Sequence, residues 1–152
     1  MDSFLQINDL HRDLCERFIE HQSALLHFDF RVALERLRRY ESALLAHMRD
    51  EEELLLPLYR ERAVPERGGA TDLFLLEHAK LRRHLAHFAE QLPRLQYLPD
   101  PTRAVIKLLE QETTFKHLVE HHDTREEKFL YPALERHTSP EEKADLLARL
   151  SG

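Results

Sequence analysis

The chain has 152 residues, 42% of them hydrophobic and 33% charged, with only three glycines, which is enough for one buried core and unlike a disordered or fibrous composition. Its 22 basic and 28 acidic side chains leave a formal charge of −6, so no basic excess exists to hold a nucleic-acid backbone or an anionic membrane. The Met1-Asp2-Ser3-Phe4 opening lacks a basic and an apolar region, so no signal peptide is expected; no apolar run reaches membrane-spanning length and the lone Cys15 fits a reducing compartment, so a cytoplasmic location is expected.

Scarce Gly and abundant Leu, Glu, Arg and Ala favour helices. The first helical segment runs from about Phe4 to His27. Asp29 is the expected N-cap of the second, which reaches about Arg62, and Val64-Pro65-Glu66-Arg67-Gly68-Gly69 is the clearest loop. A third helix starts near Thr71-Asp72 and fades between Pro93 and Pro99. Asp100-Pro101 supplies an N-cap and a proline at the first helical position of the fourth, and Ser139-Pro140-Glu141-Glu142 opens a short fifth helix to about Leu150. Pro57 and Pro132 fall inside helical patterns and predict kinks. Short connections between long helices predict an all-α fold, an up-down antiparallel four-helix bundle with a short C-terminal fifth helix. Its expected extent is one domain over 1–152, with the bundle core at about 4–137.

The eleven histidines are spread along the chain. The second helix contains His47-Met48-Arg49-Asp50-Glu51-Glu52-Glu53-Leu54-Leu55-Leu56-Pro57, and the fourth contains His122-Asp123-Thr124-Arg125-Glu126-Glu127-Lys128-Phe129-Leu130-Tyr131-Pro132. Both read His, three residues, Glu-Glu, an apolar stretch, then Pro ten positions after the His. A His and a Glu four apart share one helix face and can converge on one metal. One such pair is weak, because charged helices produce it by chance; two with the same proline offset are specific.

Solvated surface pairs are the usual fate of these residue types. At about 100° per residue, however, His122 and Glu126 fall within the apolar stripe of Leu108, Phe115, Leu118, Val119, Phe129, Leu130 and Ala133. His47 and Glu51 fall within that of Tyr40, Leu44, Met48, Leu54, Leu55 and Leu58. Ionisable groups on buried faces are costly unless paired or metal-bound, leaving a metal site or a metal-free buried polar network. His78 lies at the edge of the third stripe (Phe74, Leu81, Leu85, Phe88, Leu92), and His11 lies within the first (Phe4, Ile7, Leu14, Phe18, Leu25). His84 and His87 point away, His21 sits near the boundary, and His117 and His121 fall on the polar side. Counting helical rise along antiparallel neighbours sets His11, His47/Glu51, His78 and His122/Glu126 at one height, and rejects His21.

Four imidazoles and two carboxylates exceed the needs of one tetrahedral zinc. Mixed nitrogen and oxygen donors in a bundle core suit two first-row metals, iron first and manganese second. If Glu51 and Glu126 both bridge, each ion receives two imidazoles and two carboxylate oxygens. A bridging oxide or hydroxide makes five donors and leaves one open position for a small molecule.

The Glu-x-x-His motif of ferritin-like bundles is absent from the sequence. The pattern instead resembles the hemerythrin-like family, the HHE cation-binding domain, over about residues 4–137. That family has one His on the first helix, His-x-x-x-Glu on the second, one His on the third and His-x-x-x-Glu on the fourth. The matching positions are His11, His47, Glu51, His78, His122 and Glu126, and the resemblance implies a diiron centre. The oxygen-carrying members have a second His on the third helix, where Arg82 stands here, and an aspartate one position beyond Glu126. The variant here looks more like the branch with bacterial sensors and an iron-sensing ubiquitin-ligase subunit.

The expected function is therefore diiron binding, with binding or sensing of O2 or of iron. The expected ligand is a small diatomic molecule or peroxide, and a sensor role would add an unidentified protein partner. An enzyme acting on peroxide or repairing iron centres under nitrosative stress is the alternative from another class, and a metal-free helical interaction module the third. Tyr40, two turns before His47, is the best nearby acid or base, although core packing is the more ordinary role for a buried tyrosine.

Overall fold

The computed structural model describes residues 1–151. A 3-10 turn at Phe4–Gln6 leads into α1 (Ile7–Leu26). It is followed by α2 (Phe30–Asp50), α3 (Leu56–Arg62), α4 (Thr71–Leu95), α5 (Thr102–Arg125), α6 (Tyr131–His137) and α7 (Pro140–Arg149). The four long helices α1, α2, α4 and α5 form an antiparallel bundle, in which α1 packs on α2 and α5, and α4 packs on α2 and α5. No helix among the described residues is long and apolar enough to cross a membrane.

Local chemistry explains the boundaries. Ser139 and Glu142 form a reciprocal capping box at the start of α7, and the Asp29 carboxylate accepts a hydrogen bond from the Val32 N–H at the start of α2. The α1–α2 turn holds Phe28 at φ 60°, a left-handed position normally given to glycine. There the N–H of Asp29 reaches the Ala24 carbonyl and that of Phe28 reaches Leu25, closing the end of α1. The start of α5 differs from expectation by one residue: Pro101 is the cap, and Asp100 accepts from the backbone N–H and the hydroxyl of Thr102.

The two mid-helix prolines act differently from the expected kink. Glu51–Leu55 and Glu126–Leu130 are each a five-residue π-helical turn, in which the N–H of Leu56 reaches the Glu51 carbonyl and that of Tyr131 reaches Glu126. The second and fourth helices therefore divide into α2/α3 and α5/α6. Pro57 and Pro132 sit in the first turn of the following piece, where a missing N–H costs little.

Two apolar clusters fill the bundle. One gathers Phe18, Leu37, Tyr40, Leu85, Phe88 and Phe115; the other gathers Phe4, Ile7, Leu55, Phe74, Leu130 and Tyr131. On α1 and α4 the candidate histidine falls between members of the two clusters: His11 between Ile7 and Leu14, His78 between Phe74 and Leu81. A buried polar layer is thus clamped by apolar packing on both sides. Glu135 of α6 ties the amino-terminal turn down, accepting from the Ser3 hydroxyl (2.6 Å) and the Phe4 N–H (2.5 Å) and pairing with Lys143 of α7.

Candidate metal centre

The polar layer consists of His11, His47, Glu51, His78, His122 and Glu126, all at most 7% exposed. Two overlapping groups offer ligand atoms within 4.8 Å of one another: Glu51, His78, His122 and Glu126, and His11, His47 and Glu126. The sequence-predicted residues are all brought together. His117 and His121 are exposed, as expected, and His84 and His87 face the outer side of α4 rather than this layer.

The imidazoles meet in pairs through Nε2, His11 with His47 at 3.1 Å and His78 with His122 at 3.1 Å. The outer nitrogens decide what those pairs can be. His78 Nδ1 lies 2.9 Å from Glu52 Oε1, and His122 Nδ1 lies 3.1 Å from Glu77 Oε1. An ionised carboxylate only accepts, so both Nδ1 atoms donate, and in its neutral form each ring turns an Nε2 lone pair inward. Two lone pairs facing each other at 3.1 Å repel unless a cation lies between them. For metal–nitrogen bonds of about 2.1 Å, two donors at a right angle on one ion stand about 3.0 Å apart, so the observed spacing suits a shared ion.

The carboxylates have the matching deficit. Both oxygens of Glu51 and Oε2 of Glu126 are buried without a hydrogen-bond partner, as is His11 Nδ1. Buried polar atoms are rarely left this way, and here the two carboxylates reach into the space between the rings. Glu126 spans it, with Oε1 3.3 Å from His11 Nε2 and Oε2 3.3 Å from His122 Nε2. Glu51 Oε1 lies 3.0 Å from His47 Nε2 and 3.8 Å from His78 Nε2. Glu126 thus belongs to both ligand groups and Glu51 to one, and the two groups could hold metal ions.

Electrostatics agree. Burial alone would push the Glu51 carboxyl up, but His47, with His78 and His122, overcomes it and holds the group down to about 2. His47 is opposed by burial and raised by the Glu51 carboxylate, whereas burial and the nearby His122 lower His78.

Several neighbours lay outside the reading from sequence. Tyr131 is fully buried, with its hydroxyl 3.1 Å from His11 Nε2 and 3.3 Å from Glu126 Oε1. Burial, together with the carboxylates of Glu51 and Asp123, pushes that hydroxyl well above its ordinary value, so it stays protonated. Tyr40, the candidate acid or base from sequence, instead packs against Phe18 and Phe115 in the apolar cluster. Uniform 100° steps place Tyr131 about 140° from Glu126; the wider π-helical turn brings it back to the site face. The signal available was the repeat itself, since Tyr131 and Leu56 both stand nine positions after the motif histidine.

His21, expected near the boundary, is fully buried outside the layer. Its Nδ1 lies 2.7 Å from the Ala33 carbonyl and its Nε2 2.7 Å from Glu112 Oε2, itself fully buried. Both ring nitrogens are thus engaged, one by a backbone carbonyl and one by the carboxylate. Glu112→Ala leaves His21 Nε2 buried without that partner and is expected to destabilise the fold by about 1–3 kcal/mol, read as a fall in Tm of roughly 5 °C, with the bound-metal content unchanged. A Tm within a degree or two of the parent would show that the pair contributes nothing.

Comparison of the chain with protein-family models, with curated proteins and with solved structures finds no match.

Proposed function

We propose that this chain is a hemerythrin-like protein that holds two iron ions among His11, His47, Glu51, His78, His122 and Glu126, and that binds or senses a small ligand or iron supply. The supporting observation is the pair of overlapping buried His/Glu groups joined through Glu126. In this reading the four histidines with Glu51 and Glu126 would hold the ions, and Glu52 and Glu77 orient the His78 and His122 rings from outside. The mixed nitrogen and oxygen donors suit iron first and manganese second. When bound, such ions supply Lewis-acid and redox chemistry toward a small molecule.

Cavity size favours a diatomic ligand. The hollow lined by Phe18, Tyr40, Phe115, Val119 and Asp123 is about 40 Å³, and the one lined by Leu10, His47, Asp50 and Glu51 is about 10 Å³. Sites for organic ligands run to several hundred Å³. The larger hollows of about 350–400 Å³ lie on the outside of the bundle, away from the six residues.

One observation favours the enzymatic alternative: Tyr131 holds a proton within hydrogen-bond reach of His11 and Glu126, the position required of a general acid. Visible absorption of the iron-loaded chain separates the two readings. A band that forms in air and reverses under vacuum supports ligand binding. Sustained peroxide consumption that drops in Tyr131→Phe supports the enzyme, and neither signal from an iron-loaded chain contradicts both.

A further inference from the structure

The doubled motif makes the two halves of the bundle comparable position by position. Setting His78 on His11 and His122 on His47 also sets Glu126 on Glu51, Glu127 on Glu52 and Pro132 on Pro57, because the spacings are the same. The second Glu of each motif serves the histidine of a neighbouring helix: Glu52 reaches His78 Nδ1 at 2.9 Å, and Glu127 faces His11 Nδ1 at 3.5 Å. Four other positions break the correspondence. Glu77 answers to Leu10, Arg82 to Cys15, Arg125 to Asp50 and Tyr131 to Leu56.

All four differences affect how firmly the rings are held. At the His78/His122 end, Glu52 is fixed by Arg82 at 2.7 Å, and Glu77 by Arg125 at 3.1 Å. Arg125 is itself anchored on the Gly68 carbonyl and on His121. Both rings there are locked by a carboxylate that an arginine immobilises. At the His11/His47 end, Glu127 is half-exposed and beyond hydrogen-bond distance, and Asp123 is no closer than 3.7 Å to His11 Nδ1. His47 Nδ1 has no carboxylate partner among the described residues, since the position that would supply one is Leu10. Tyr131 also competes there, its hydroxyl lying against His11 Nε2.

From this asymmetry, and resting on the two-metal reading above, we infer that the chain fills its two metal positions in order, the His78/His122 end first and tightly, the His11/His47 end second and more weakly. An outer carboxylate fixes the tautomer and orientation of a ligating imidazole and raises its basicity, and losing one typically costs 10–100-fold in metal affinity. The first end has two such partners at hydrogen-bond distance and the second has none. Between the two affinities the protein carries one ion, so the occupancy of the second position follows metal supply.

Stepwise titration of the metal-stripped full chain with Co(II), followed by calorimetry and visible absorption, tests this. The expected isotherm has two steps with the first at least about tenfold tighter. Glu77→Gln, helicity checked by circular dichroism, weakens the first step 10–100-fold, while Glu127→Gln leaves the first step in place. Two ions entering in a single step of equal affinity, or Glu77→Gln weakening only the second step, overturns the ordering while leaving the two-metal reading intact. No cobalt binding at all overturns both.

Discussion

Adding Mn(II) or Co(II) to the metal-stripped chain is expected to raise its Tm by roughly 10–20 °C, and a chelator to return it. Each ion at a hundredfold excess over its Kd contributes about 2.7 kcal/mol, and a chain of this size gains about 2–4 °C per kcal/mol. The cause is the polar layer at mid-bundle. Without metal it holds two buried carboxylates, three of whose oxygens have no hydrogen-bond partner, and imidazole pairs meeting at 3.1 Å. Apolar packing clamps this layer from both sides, so the helices cannot part to admit water without loss elsewhere. Cations remove the penalty where it arises. Differential scanning calorimetry with and without metal measures it, and a Tm indifferent to metal at saturating concentrations would contradict the account.

Glu126→Ala is expected to have the largest effect on bound metal of any single substitution. Glu126 belongs to both ligand groups and faces His11 and His122 with different oxygens at 3.3 Å each. Its removal takes a donor from both groups and leaves the His11/His47 end with two imidazoles. Bound metal is expected to fall from two ions per chain to fewer than one, whereas His11→Ala, which touches one end, retains about one. His117→Ala and His121→Ala, both exposed, retain two. Metal analysis after gel filtration reads all four, and a Glu126→Ala protein that keeps both ions would remove the carboxylate from its bridging place.

The helices, their order and the six-residue layer were legible because each has a local signal. Asp29, the Ser139/Glu142 capping box and the Gly68-Gly69 loop set boundaries through neighbours in sequence. The histidines and glutamates sat on stripes that only a buried face explains. What escaped depended on a change of helical period or on contacts between helices. Tyr131 was hidden because a wheel of constant angle cannot anticipate the π-helical turn at Glu126–Leu130. Glu52 and Glu77 were hidden because their partners, His78 and His122, lie on other helices, and on their own helices they resemble solvated charge. His21 was misplaced for the same reason: its partner Glu112 is 91 positions away, and only the packing of α1 on α5 buries the pair.

The π-helical turns also link the prolines to the site. Each begins at a candidate bridging glutamate, whose carbonyl takes the widened hydrogen bond, and ends one residue before the helical piece that carries the proline. Such turns are concentrated at functional positions in helices, and here they let Glu51 and Glu126 face inward while Pro57 and Pro132 occupy tolerated first-turn places. The conserved offset between His and Pro within the chain thus has a mechanical reason in the geometry of the layer.

The most direct examination of the central claim is an anomalous-difference map at the iron edge from crystals of the full chain grown in iron. Two peaks are expected, one bounded by His78, His122, Glu51 and Glu126 and the other by His11, His47 and Glu126. A map without a peak in that layer, with its imidazoles hydrogen-bonded to one another and to the carboxylates alone, would contradict it.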